Sequence, residues 1–494
     1  MGIVFRQSIK STVVALTGAV LGAVCNLAYV NVLDKQLNGF RGNLFIVASI
    51  LQLIVLMGTA GTLLTYVQRY PPGEKRRLLQ TISALVPLVA STIIFIPYFI
   101  FREEVIQQYL PGDRTMVGRY YILTPVLTVL WAYMYQMEMY LGGHHKSAVA
   151  AFVREILIRG INIVLIILFY CDLISFSFFI TGCVAAYALA IACLIPVVRK
   201  TEGFGFTSNW NAFTKGEYKE LARFSWYHML MAMSLIAMAN IGAYMLGIMS
   251  KSGLDSVSVY SIAIFVAGIV TIPFRAMTLA AYPAINKAYA ENDMDRLKSL
   301  FRRSGVNTLI VSVFMAILIA CNLPNVLPFI RKGYNDMVPL TLILLLGWMF
   351  ELSTGLNSEM INISKYYRFN YRITVLLVLL LILFNYLLIP RYDIFGAAWG
   401  TVMAFLIFNA AKVLFLWWKM GLHPFSKQTP GILLSGVVAG VCGYLLPYLF
   451  NPVVDTLIRS SVIVCLYGLM IVWLKPSEDI QTFLQAVKKN KRLF

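Results

Sequence analysis

Residues 373–390 read ITVLLVLLLILFNYLLIP, and after the polar turn RYDI the chain continues FGAAWGTVMAFLIFNAAKVLFLWW over 395–418. The first run carries no charge and the second carries one, Lys412. A helix of about 20 apolar residues spans the hydrocarbon core of a bilayer. The pair therefore reads as two membrane spans joined by a short turn. The same pattern recurs along the chain, near 11–33, 43–66, 78–101, 119–141, 149–170, 174–198, 224–249, 257–283, 304–325, 339–363, 430–450 and 456–474. With the opening pair this makes about fourteen expected transmembrane helices, an all-α polytopic membrane protein. The first span is longer than the apolar core of a signal peptide, lacks a clear small-x-small cleavage site and is followed by further spans.

Composition agrees. Of 494 residues, 59% are hydrophobic and 13% charged, with mean hydropathy +0.76. Soluble domains run at roughly 45–50% apolar and about 25% charged, so too little polar surface exists to clothe a soluble body of this size. That excludes a soluble enzyme, a secreted disulfide scaffold, a disordered chain and a nucleic-acid binder. Fourteen spans would use about 280 residues, leaving short loops and no large soluble domain.

The formal charge of +19 comes from 41 Lys and Arg against 22 Asp and Glu. With the N-terminus inside, 27 of the 41 fall on the inner side, 10 on the outer side with the span edges, and four within spans. That bias is what the positive-inside rule requires, and it places both termini in the cytoplasm. Cys25, Cys183, Cys193, Cys321, Cys442 and Cys465 lie in apolar runs without a CxxC or His partner, so they read as small buried side chains.

The longest polar interruption, RKTEGFGFTSNWNAFTKGEYKELAR (199–223), separates six spans from eight. The expected organisation is an N-lobe at 1–198, a cytoplasmic linker at 199–223, a C-lobe at 224–419, two extra spans at 430–475 and a basic tail at 476–494. The halves are weakly alike. Span 2 runs into Tyr70-Pro71 and GEKRRLLQ, and span 8 runs into Tyr282-Pro283 and ENDMDRLKSLFRRS. Six spans per half is even, so the repeats would share one orientation. In the tail, Ile480, Phe483, Leu484 and Val487 stand at helical spacing before a basic end, as in an interfacial amphipathic helix.

No catalytic constellation, metal-ligand spacing or phosphate loop is present; the four histidines, His144, His145, His228 and His423, do not form one. Ionisable residues inside spans are costly and mark cavities or pairs. Arg275 follows Pro273 in IVTIPFRAMTLAAYP, where the proline loosens the helix, and its guanidinium suits a phosphate or a glutamate on another helix. In FVREILIRGIN, Glu155 and Arg159 stand at i,i+4 and can pair, while Arg154 and Arg159 can also snorkel or meet substrate. Lys412 is open to the same two readings. Glu138, Glu155, Glu351 and Glu359 are candidates to carry H⁺ or Na⁺, or to neutralise the arginines. Trp131, Tyr133, Tyr135 and Tyr140 suit sugar stacking, interface anchoring or core packing. Asn26 on span 1, and His228 and Asn240 on span 7, sit on small-residue faces that either pack helices closely or line a substrate path.

The stretch VYSIAIFVAGIVTIPFRAMTLAAYPAINKAYAENDMDRLKSLFRRS (259–304) and the opening MGIVFRQSIKSTVVALTGAVLGAV resemble oligosaccharide flippases of the polysaccharide transporter (Wzx-like) family. These belong to the multidrug/oligosaccharidyl-lipid/polysaccharide exporter (MOP) superfamily. The resemblance implies two six-helix lobes in a V-shaped, MATE-like arrangement plus two C-terminal helices. It also implies alternating-access flipping of an undecaprenyl-diphosphate-linked oligosaccharide across the bacterial inner membrane, for O-antigen, lipopolysaccharide or capsule synthesis. Arg275 best matches a cavity arginine of the family. Between Lys10 and Lys35 span 1 has no Lys or Arg, a departure from the lipid II flippases that favours another glycolipid head group. No cofactor is expected beyond a coupling H⁺ or Na⁺. The expected partners are the lipid-linked oligosaccharide, membrane lipids and polysaccharide assembly proteins, not nucleic acid. Two rival readings are a cation-coupled multidrug exporter of the same superfamily and a membrane-embedded glycan polymerase or ligase. The latter class usually carries a large outer loop, and the longest here, about 102–118, is short.

Overall fold

A backbone surrounded by apolar side chains has to satisfy its own hydrogen bonds, and the described part of this chain does so by forming helices. The computed structural model describes residues 2–144 and 146–476, without the side chains at 2–13, 15, 16, 234, 235, 237–239, 275, 276, 279, 280, 282, 283 and 367. No strand occurs among the described residues. The expected amphipathic tail, Ile480 to Val487, lies outside them, as does His145. Two units divide at Ser258/Val259.

The first unit runs through α1 (Gly2–Val32), α2 (Lys35–Leu56), α3 (Thr59–Tyr66), α4 (Glu74–Ile100), α5 (Arg102–Gln107), α6 (Pro111–Arg119), α7 (Leu123–Gly143), α8 (Ser147–Phe152), a π-helical turn (Val153–Leu157), α9 (Ile158–Tyr170), α10 (Phe176–Arg199) and α11 (Lys215–Met249). α2 and α7 lie at its centre, with α3, α4, α10 and α11 packed on one or both and α1 laid along α8–α9. The second span, expected to be continuous over 43–66, is broken. Met57 (φ 45°) and Gly58 (φ 77°) are both left-handed, which separates α2 from α3. A Cβ on Gly58 would collide with the Ser225 carbonyl of α11, and Thr62 and Ser225 hydroxyls meet there at 2.5 Å. Glycine is therefore required twice over, by φ and by space. The segment after α10 is strapped to α4: Gln80 receives Gly205 N–H at 2.9 Å and Thr81 exchanges two hydrogen bonds with Thr207.

α12 (Leu254–Gly268) crosses the division. The second unit continues with α13 (Thr271–Ala290), α14 (Met294–Val326), α15 (Met337–Ser353), α16 (Asn357–Ile363), α17 (Tyr367–Met420), α18 (Thr429–Leu445) and α19 (Pro452–Leu474). Although α17 counts as one run, Asp393 breaks it with φ 52°, ψ −130°. Gly396 lies against Leu388 and Gly400 against Phe384 and Asn385, the spacing of two antiparallel helices. The expected spans at 373–390 and 395–418 are these two arms. α15 and α16 are bent by 41° at Thr354–Leu356 and only together are long and apolar enough to cross a membrane. One apolar core joins α13, α14, α16 and α17 through Ile285, Phe301, Met360 and Leu416. A second joins α14, α18 and α19 through Val313, Ala439 and Tyr467.

Burial is inverted relative to a soluble protein. Leu88, Val89, Ile93 and Ile100 of α4 and Leu379, Leu383 and Tyr386 of α17 are exposed, whereas Lys412, Asp455 and Arg459 are buried. Among the described residues six helices are long and apolar enough to cross a membrane, or seven with the bent pair counted as one. The fourteen expected spans thus do not appear as fourteen unbroken apolar helices. Breaks at Met57-Gly58, Val153–Leu157 and Thr354–Leu356 shorten some, and the α17 hairpin merges two.

Candidate functional site

In the first unit the candidate charges from two parts of the sequence converge. The π-helical turn Val153–Leu157 carries Arg154 and Glu155. Such turns insert one residue and re-aim the side chains that follow, and they recur at functional positions. Here Arg154 reaches Glu138 on α7 in a close ion pair. Its Nε also donates to Glu155 Oε1 at 3.0 Å. Glu155 Oε2 is in turn 2.7 Å from Arg159 Nη2, the i,i+4 pair expected from sequence. Arg159 finally donates to the Gly18 carbonyl of α1. Two arginines and two glutamates alternate, so the ladder is formally neutral. One oxygen of Glu138, Oε2, is buried without a hydrogen-bond partner.

α1 approaches this ladder through its glycines: Gly18 rests on Glu155 and Gly22 on Arg159. Asn26 donates to its own helix at Gly22 O, 3.0 Å, and Asn240 of α11 likewise to Ile236 O, 3.0 Å. Neither amide meets another helix through these bonds. His228 packs its ring over Gly61 of α3 and lies near-parallel to Phe224. Trp131 is held against Phe45 and Tyr187, so core packing accounts for it. Arg41, counted in the sequence with the outer-side charges, stacks over Tyr29 at 3.7 Å. That site was not singled out, because Arg41 lies just before the expected second span.

The second unit holds a polar cluster at the α15–α16 break. Gly355 (φ 63°) lets the chain turn against the backbone of Gly305, 2.9 Å from where its Cβ would stand. Lys412, 1% exposed, donates to Ser358 Oγ at 2.8 Å and approaches Asn357 Oδ1 at 3.5 Å. Its ammonium sits 3.6 Å from the centre of the Phe408 ring, a cation–π contact. Asn357 Nδ2 donates to Asn409 Oδ1 at 3.2 Å, and Asn409 Nδ2 to Glu351 Oε2 at 2.7 Å. Hydrogen bonds therefore run without interruption from Glu351 to Lys412. Glu359, on α16, is half-buried, and it and Glu351 are the carboxylates whose charge Lys412 senses. The cluster has one cation against two carboxylates. Thr354, Asn357, Ser358 and Asn409 were missed because neutral residues in apolar runs give no charge signal. Arg275 stands in α13; its side chain lies outside the described residues.

Arg459, counted in the sequence with the outer side and the span edges, is buried in α19. It pairs with Asp455 at 3.0 Å and donates to the carbonyls of Gly443, Tyr444 and Leu446 that end α18. Among the described residues no group of three His, Cys, Asp or Glu is arranged to hold a metal ion.

No family model matches the chain. The capsular polysaccharide biosynthesis protein CapF of Staphylococcus aureus is 23% identical over 349 residues, 67% of this chain and 78% of that protein. The solved structure of the lipid II flippase MurJ, in an inward closed conformation, matches with TM-score 0.71 at 12% identity. That match covers 94% of this chain and 99% of the other. An inward-facing multidrug resistance MATE family transporter of the MOP superfamily matches with TM-score 0.67 at 15% identity, over 82% and 94%. At such identities the likeness is one of fold. The described residues share the all-helical fold of these two transporters and belong to a multi-pass membrane protein.

Proposed function

We propose that this protein flips a lipid-linked oligosaccharide across the bacterial cytoplasmic membrane by alternating access, for capsule or another surface polysaccharide. The observation that carries the reading is a pairing: a MurJ-like fold along 94% of the chain and sequence likeness to a capsular polysaccharide biosynthesis protein. An undecaprenyl tail remains in lipid while the polar head crosses, so the transporter needs a wet path for a diphosphate and a few sugars and nothing larger. Arg275 is the residue proposed to meet the diphosphate. Arg154 and Arg159, each paired with glutamate, hold the first unit together and stand one step behind it in that role. Asn26, His228 and Asn240 are the remaining substrate-path candidates.

Lys412 with Glu351 and Glu359 is proposed as the coupling centre. Polar side chains at an interrupted helix are where transporters commonly place ion sites, and an excess of one carboxylate suits H⁺ or Na⁺. Glu138 and Glu155 are already paired with arginine and rank lower for coupling.

The test is reconstitution in liposomes with a labelled undecaprenyl-diphosphate oligosaccharide, scored by its exposure to an impermeant enzyme. Protein-dependent translocation that is accelerated by a proton or sodium gradient, and lowered at least tenfold by Arg275→Ala, is expected. Full activity in Arg275→Ala removes that residue from the mechanism. No translocation under any gradient removes the flippase reading.

The carboxylate excess around Lys412 and the MATE fold likeness favour one second reading, a cation-coupled multidrug exporter. Efflux of organic cations by the reconstituted protein, with no movement of the glycolipid, would establish it instead.

A further inference from the structure

At the α15–α16 break the two buried amides face one way only. Asn357 Nδ2 donates to Thr354 Oγ1 at 2.7 Å and to Asn409 Oδ1 at 3.2 Å. Thr354 directs its own hydroxyl hydrogen to Glu351 O at 2.8 Å, so towards Asn357 its oxygen accepts. Asn409 Nδ2 donates to Glu351 Oε2 at 2.7 Å and to Phe405 O at 2.9 Å, which turns Asn409 Oδ1 towards Asn357. Reversing either amide would set donor against donor or acceptor against acceptor. Asn357 Oδ1 is thereby fixed towards Lys412, 3.5 Å from Nζ. Ser358 donates to that same oxygen at 3.3 Å, which leaves the Ser358 lone pairs to accept from Lys412 at 2.8 Å.

Both oxygens are therefore aimed by partners other than the lysine. With the ring face of Phe408, 3.6 Å from Nζ, they give three contacts for the three hydrogens of an ammonium. The same oxygens would face any small cation placed there. Oxygen donors suit hard cations, and transporters hold Na⁺ against polar groups where a helix is interrupted. Glu351 closes the far end of the hydrogen-bonded chain with a formal negative charge. Asn357, Asn409 and Lys412 are 3%, 2% and 1% exposed, so the position of the ammonium is closed to bulk water.

We propose that the Lys412 ammonium is a resident cation: it fills a preformed monovalent-cation site at the helix break and so excludes sodium from it. A sodium ion beside the ammonium would compete for the same oxygens, and the two like charges would repel in a site closed to water. The occupancy of the site stands on the contacts alone. Its consequence for transport rests on the proposed coupling role of the cluster: a proton or the membrane potential, and not sodium, would then act at this centre.

The full-length protein in mild detergent is unfolded by heat in sodium chloride or in choline chloride of equal ionic strength. The unchanged protein is expected to melt at the same temperature in both. Lys412→Ala and Lys412→Ser open the space while keeping Asn357, Ser358 and Asn409. Each should show a saturable rise in unfolding temperature with sodium, of at least about 2 °C. Lys412→Met, whose side chain fills the space, should show none. Asn357→Ala added to Lys412→Ser should abolish the rise. Sodium stabilisation of the unchanged protein, no rise in either small variant, or a rise that survives Asn357→Ala overturns the proposal. Should neither small variant fold, the comparison of sodium with choline on the unchanged protein decides. The readout is unfolding, so a failure of flipping under every gradient counts against the flippase reading and leaves these results standing.

Discussion

Lys412 places its ammonium 2.8 Å from Ser358 Oγ while remaining 1% exposed, and among the described residues no carboxylate lies within ion-pair distance of it. A structural lysine in that position would be expected to carry a direct carboxylate partner, since burying an unpaired charge costs several kcal/mol. A neutral side chain of similar volume should then be tolerated by the fold. Lys412→Met is expected to leave thermal stability close to that of the unchanged protein, because no carboxylate is directly bonded to the ammonium, while transport falls at least tenfold. Thermal unfolding and flipping measured on the same preparation check this. Equal loss of both would make Lys412 a structural residue.

Arg459 and Asp455 form the opposite case. The pair is buried, directly bonded, and also ends α18 by binding its last carbonyls. Removing one partner strands the other, at about 3–5 kcal/mol. Asp455→Leu and Arg459→Leu are each expected to melt well below the unchanged protein. The double variant should recover part of the loss. Additive losses in the double variant would show that the two residues act separately.

Much of the fold is legible in the sequence because apolar run length is a strong signal: the two arms of α17 fall where 373–390 and 395–418 placed them. The breaks are not legible. Gly58 and Gly355 are ordinary glycines until Ser225 or Gly305 is brought against them, and that is a property of the packing. The i,i+4 pair Glu155–Arg159 could be read locally, but the link from Arg154 to Glu138 joins residues on different helices and depends on a π-helical turn. Asn26 and Asn240 could be read as packing or substrate-path positions, and the sequence does not show that their amides donate to carbonyls of their own helices. A count of charges by span edge also says nothing of the burial of Arg459, which its partner Asp455 makes possible.

Outside the membrane, Glu217 closes the capping box of α11 with Thr214 and meets Lys75 at 2.6 Å. Lys75, then the Thr214 backbone N–H, hold its carboxyl below the ordinary value of 4.5. A carboxyl lowered on folding contributes stability above its unfolded value and loses it as pH falls through the folded one. The unfolding temperature should therefore decline as pH falls below about 4.5, and Glu217→Gln should flatten that decline. Exposed pairs contribute about 0–1 kcal/mol, so the change is small. An identical pH profile in the variant would assign the acid sensitivity elsewhere.

Gly18 and Gly22 of α1 give a sharper test of the charged ladder, because the two contacts differ in what must move. A Cβ on Gly22 would lie 2.6 Å from Arg159 Nη1, the far end of a flexible side chain. One on Gly18 would lie 2.6 Å from Glu155 Cβ, which cannot withdraw unless the π-helical turn itself shifts. Overpacking of the second kind costs about 1–3 kcal/mol. Gly18→Ala should therefore lower the unfolding temperature clearly and Gly22→Ala only slightly. Because Glu155 holds both Arg154 and Arg159, Gly18→Ala should also disturb transport, whereas Gly22→Ala displaces a single guanidinium. The reverse order of stability would mean that α1 does not rest on Glu155 through Gly18.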